Sequence, residues 1–120
     1  MIDQIVFTAS SDRIVEGSRL NITASFRDSV TRLAATPTTV EWGLRDPDCP
    51  REIQPLTSVT PGTSVTLVTT GTQNTLQTNV TPRRVPSVRR EVTVVVDRGL
   101  SGQYVATYTY TVTNVGAINP

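Results

Sequence analysis

The chain has 120 residues, a formal net charge of +1 and a strand-and-turn composition dominated by Thr and Val. One Cys and no His exclude an intrachain disulfide, a thiolate–imidazole zinc site and any Ser-His-Asp or Cys-His nucleophile. All the cations are Arg, and so near-neutral a balance offers no broad basic surface for nucleic acid or an anionic membrane.

Met1 leads directly into Ile2-Asp3-Gln4-Ile5-Val6-Phe7, without the basic and apolar regions of a secretory signal. No stretch approaches the roughly 20 apolar residues of a membrane span. The expectation is one domain over residues 1–120, folding in the cytoplasm, where the sequons at Asn21 and Asn79 are chance matches.

Residues 2–9 read as a first strand, broken by Ser10-Ser11-Asp12-Arg13, and Glu16-Gly17 signals a turn. Over residues 18–27, Leu20, Ile22, Ala24 and Phe26 alternate with Asn21, Thr23, Ser25 and Arg27, a strand with one buried face. Residues 28–37 are mostly polar, end in proline and read as a loop. Residues 38–45 form the next strand, with Val40, Trp42 and Leu44 inward and Glu41 and Arg45 outward. Asp46-Pro47-Asp48-Cys49-Pro50 is turn chemistry. A short edge strand is expected over residues 51–56, limited by Pro55, followed by a turn at Pro61-Gly62. Residues 63–70 make another strand, with Val65 and Leu67 on one face. Polar residues 71–81 leave room for one helical turn around Gln73 to Leu76. Pro82 and Pro86 then bracket an arginine-bearing link.

The clearest pattern is the last. Val92, Val94 and Val96 share one face of a strand, opposite Thr93 and Val95. Tyr104, Ala106, Tyr108, Tyr110 and Val112 share a face of the next, and the two flank Asp97-Arg98-Gly99-Leu100-Ser101-Gly102. That is a long antiparallel hairpin on which the earlier strands must pack. About seven short strands with turn signals between them predict an all-β fold, an immunoglobulin-like antiparallel β-sandwich. Trp42 falls where such a sandwich keeps its core tryptophan. The usual cysteine pair is absent, and Ala24 with an apolar partner such as Val94 fills that space.

Candidate chemistry is sparse. Asp46 and Asp48 could hold a calcium ion, but the loop lacks the glycine and closing glutamate of an EF-hand, and a solvated turn is the simpler reading. No metal, cofactor or catalytic residue is expected. Cys49 lies between Asp48 and Pro50, where acidic neighbours oppose a thiolate. Tyr104, Tyr108 and Tyr110 are expected in the core, with an exposed sugar platform as the alternative. Arg83, Arg84, Arg89 and Arg90 form the one charge cluster, on prolines that discourage helix. Either they are a solvated guard on a sheet edge, or they contact an acidic partner surface or phosphate. No aromatics interleave with them, which disfavours single-stranded nucleic acid.

The succession VEGSRLNITASFRD, TPTTVEWGLRDPD, SVTPGTSVTLVTTGTQNTLQ and YTYTVTNVG resembles small immunoglobulin-like virion proteins of tailed bacteriophages. The resemblance covers nearly the whole chain as a pattern of strands and turns. It implies a non-enzymatic role, decorating or cementing a capsid or serving a neck or tail assembly. The implied partners are the major capsid protein or other virion proteins, with many copies on a particle assembled in the host cytoplasm. A carbohydrate- or receptor-binding immunoglobulin-like module is the second reading. Under the first, Arg83, Arg84, Arg89 and Arg90 are the expected contact to a neighbouring subunit.

Overall fold

Val- and Thr-rich segments with period-two alternation have one stable solution: they pair edge to edge and bury their apolar faces against a second sheet. A computed structural model, which describes residues 2–48, 51–74 and 87–113, shows this arrangement. Nine strands are described: β1 (Gln4–Ala9), β2 (Arg13–Val15), β3 (Leu20–Asp28), β4 (Leu33–Ala34), β5 (Val40–Asp46), β6 (Arg51–Val59), β7 (Ser64–Thr69), β8 (Ser87–Val96) and β9 (Tyr104–Thr113). They form an all-β sandwich, without helix among the described residues. One sheet centres on β3, flanked by β1, β7 and the short β4; the other runs β2-β9-β8-β5-β6. All pairs are antiparallel except β2, which lies parallel to β9.

The alternations expected from sequence appear as burial. Leu20, Ile22, Ala24 and Phe26 from β3 face Val40, Trp42 and Leu44 from β5 and Val92, Val94 and Val96 from β8 in one core cluster. Trp42 is only 7% exposed, and Ala24 and Val94 are fully buried. Val65 and Leu67 complete the layer from β7. The tyrosines divide along β9. Tyr110 is buried, while Tyr104 and Tyr108 are half-buried against the core, Tyr108 with its ring 5.6 Å from Phe7.

Three expectations change. The edge strand β6 continues through Pro55 to Val59, because a register shift between Trp42 and Leu44 absorbs the proline. Trp42 pairs with Thr57 and Leu44 with Gln54, so residues 55 and 56 both stand opposite Gly43. A bulge on an edge strand is where a residue without an N–H is tolerated. Secondly, the loop after β3 contains the two-residue β4, held because Asp28 Oδ1 accepts from Val30 N at 2.9 Å and Arg32 N donates to the Asp28 carbonyl at 2.7 Å. Thirdly, the polar stretch after the first strand is not only a break. It carries the chain from the first sheet to the second, where β2 joins β9. The turn after β7 occupies residues 71–74, closed by Asn74 N to Thr70 O at 3.1 Å. The rest of the expected helical turn, and Cys49, lie outside the described residues.

Candidate functional site

The strand ends of β5, β6 and β8 gather eight of the nineteen charged side chains described at one end of the five-stranded sheet. β5 and β8 pair with Val40 beside Val96, Trp42 beside Val94 and Leu44 beside Val92. Two residues further the inward positions are Asp46 and Arg90, and between and beyond them Arg45, Asp48, Arg89 and Glu91 turn outward. Three ion pairs result: Arg45 Nε to Glu91 Oε1 at 3.2 Å, Arg89 Nη2 to Asp48 Oδ1 at 2.6 Å, and Arg90 Nη1 to Asp46 Oδ2 at 3.3 Å.

Arg89 and Asp48 meet in solvent. A second bond, Arg89 Nε to Asp48 Oδ2 at 3.2 Å, makes the pair bidentate. The two side chains keep 58% and 47% exposure. Hydrogen bonding from Arg89 holds the Asp48 carboxyl below the usual carboxylate range, and the same bond raises the guanidinium.

Arg90 is the opposite case. It was expected to reach a partner, and that expectation is corrected: the side chain is fully buried and faces the interior. The reason is the pleat, which puts every second residue of β8 on the core side. Its Nη1 also donates to the Arg89 carbonyl at 3.3 Å and its Nε to the Gln73 carbonyl at 3.5 Å. Nη2 has no hydrogen-bond partner among the described residues. Burial pulls the guanidinium down while Asp46 holds it up. It remains a cation, because an arginine starts so far above neutrality.

Asp46 therefore is not part of a solvated turn. It is 2% exposed and belongs to a polar plug that closes this end of the core. Tyr110 donates from its hydroxyl to Asn74 Oδ1 at 2.6 Å. Asn74 Nδ2 donates to the Ser18 carbonyl at 2.8 Å and Thr69 Oγ1 at 3.0 Å. Gln73 Nε2 donates to Gln54 Oε1 at 2.8 Å. Burial raises the Tyr110 hydroxyl above the ordinary phenol value, so it stays a donor. Gly71 is required beside this plug, since a Cβ there would come within 2.5 Å of the Gly17 carbonyl oxygen.

Of the four arginines expected at a partner surface, Arg89 is on the surface, Arg90 is inside, and Arg83 and Arg84 lie outside the described residues. Asp46, Asn74 and Tyr110 were missed as a group. For Asp46 and Arg90 the signal was present, because the alternation that turns Leu44 and Val92 inward also turns the next even position. No cluster of three or more acidic, His or Cys side chains able to hold a metal occurs among the described residues. No helix among them is long and apolar enough to cross a membrane. Neither a family model nor a curated protein matches this chain.

Proposed function

We propose that this chain is a non-enzymatic virion structural protein of a tailed bacteriophage, an immunoglobulin-like domain that decorates or cements the head shell. Its partners are the major capsid protein or other virion proteins, and it joins the particle in the host cytoplasm. Two features support the fold part of this reading. The order β9-β8-β5-β6 against β1-β3-β7 matches the two sheets of immunoglobulin-like sandwiches, and a core tryptophan sits on the third long strand. The half-buried packing of Tyr104 and Tyr108 weighs against a flat aromatic platform for sugars, which favours the structural role over the glycan-binding one.

The observation that carries the docking role is Arg89. It is held outward and charged at the end of the sheet that the sequence enters from Arg83 and Arg84. A carboxylate on a neighbouring subunit can share or replace Asp48 there. Rim-exposed pairs are individually weak, so the contact acts collectively and is screened by salt. The test uses purified shells lacking this protein. Replacing Arg83, Arg84 and Arg89 together by Ser, with Arg90 left in place, should preserve folding and reduce loading onto shells. Loading of the parent should fall as ionic strength rises. Full loading of the triple variant at every salt concentration would reject the arginine contact.

A further inference from the structure

Where β2 ends, the outer edge of β9 is left open. β2 pairs only with Thr111 to Thr113, so the seven residues Tyr104 to Tyr110 extend beyond it. Thr111 N donates to the Asp12 carbonyl at 2.8 Å, and the Thr113 carbonyl accepts from Glu16 N at 3.0 Å. These bonds fix the odd-numbered residues of β9 as those whose amides and carbonyls turn away from β8. Val105, Thr107 and Thr109 therefore present three N–H and three C=O groups with no backbone partner among the described residues. Burial changes at the same place. Tyr110 and Val112 are buried, whereas Tyr104, Ala106 and Tyr108, on the same face, are half-buried. The ring of Tyr108 lies 5.6 Å from that of Phe7, itself half-buried on β1, so the seam reaches across to the other sheet.

Native sheet edges are guarded by charge, proline, a bulge or a covering loop. β6 has such guards in Arg51, Glu52, Pro55 and its bulge. Tyr104 to Tyr110 has none of them and consists only of Tyr, Val, Ala and Thr. The edge of β7 is uncharged too, but Val65, Leu67 and Thr69 are already buried, so a strand added there would cover nothing further. Along β9 it would cover unpaired backbone and half-buried aromatic rings together. Amides and carbonyls that recur every second residue, about 7 Å apart, are matched in spacing by another extended backbone. β8 shows which side chains suit it. On the other side of β9, Val96, Val94 and Val92 lie beside Tyr104, Ala106 and Tyr108, and Thr93 lies beside Thr107.

We propose that the open edge of β9 binds an extended, uncharged segment of a partner protein as an added strand, in line with β2, with apolar residues at alternate positions over Tyr104, Ala106 and Tyr108. The site requires no particle, so it stands or falls apart from the virion role. The probe is an end-capped peptide with the sequence of residues 89–96, that of β8, whose charged end keeps it soluble. The readout is amide hydrogen exchange by NMR on the full chain, under reducing conditions. Without peptide, the amides of Val105, Thr107 and Thr109 should exchange about tenfold or more faster than those of Ala106 and Tyr108, which face β8. Millimolar peptide should slow the three outward amides by a similar factor. A peptide N-methylated at alternate residues keeps the side chains, loses the donors and should leave those amides unprotected. Thr107→Pro removes an outward donor that no bond in the fold uses, so it should melt like the parent and take the peptide about tenfold more weakly. Thr107→Val should bind like the parent. Absence of protection at millimolar peptide overturns the proposal, as does equal protection by the N-methylated peptide. Protection of β1 or β7 in place of β9 overturns it too. So does protection that rises with protein concentration alone, which would assign the edge to a second copy.

Discussion

Arg89 and Arg90 are consecutive residues of β8, and each binds one carboxylate, but the two pairs meet different surroundings. The Arg89–Asp48 pair has the shorter contact, 2.6 Å and bidentate, and half of it is in water. The Arg90–Asp46 pair is longer, 3.3 Å, and wholly inside. Distance alone would rank the outer pair as the stronger. Dielectric reverses the order of consequences. In water an ion pair competes with hydration and is screened, whereas inside, each charge depends on the other because neither has solvent to return to. The inner pair is therefore the one whose disruption the fold registers.

The largest effect follows from breaking the inner pair. Arg90→Ala leaves Asp46 buried without its cation and should cost about 3–5 kcal/mol in urea unfolding. A loss no greater than that of Arg89→Ala, measured in parallel, would erase the contrast. Replacing both partners sharpens it. Arg90→Met with Asp46→Leu removes two desolvated charges together and should recover most of that loss, since apolar groups of similar volume often match a buried pair. If the double variant is as unstable as Arg90→Ala, the plug depends on the other guanidinium bonds and not on the charge pair.

A smaller effect belongs to the neutral part of the plug. Tyr110→Phe deletes the hydroxyl that donates to Asn74 and leaves a buried carbonyl oxygen short of one donor. A destabilisation of about 1–3 kcal/mol is expected. An unchanged urea midpoint would show that water or another donor replaces the hydroxyl.

The smallest effect is at the outer pair, and it is seen by titration. Arg89 depresses the folded carboxyl of Asp48, so any stabilisation from it is present above about pH 3.9 and is lost as pH falls through the folded value. Carbon-detected NMR of Asp48 should give a midpoint below that of an ordinary aspartate, moving up in Arg89→Ser. Equal midpoints in the two proteins would mean that the bidentate pair does not persist in solution.

The long elements were legible from sequence because β3, β5, β8 and β9 each bury one face, and burial imposes period two. What stayed hidden depended on partners far away in the chain. β2 is three residues long, and only its place beside β9 makes it a strand. β6 was expected as an edge strand ending at Leu56, because a local rule disfavours proline within strands. That rule does not register the bulge that carries the strand on to Val59. Arg90 was misplaced for a different reason. Valines at 92, 94 and 96 were read as inward by position, while the arginine at 90 was read as outward by chemical type. Position prevailed, because Asp46 stood at the matching place on β5.

The crossing of the chain from β1 to β2 has a mechanical side. Arg13 to Val15, which follow β1 in the first part of the described chain, run parallel to Thr111 to Thr113 at its other end, so the two strands lie side by side and point the same way. Tension applied between the ends of the described chain pulls the two strands past each other. Their hydrogen bonds are then loaded together, in shear, and do not open one after another as they would at a hairpin tip. Resistance to such a pull is set by the height of the unfolding barrier and not by equilibrium stability. Once β1 has parted from β3, the three-residue strand, the weakest of the long-range pairings by length, is thus the clasp on which an extending force bears.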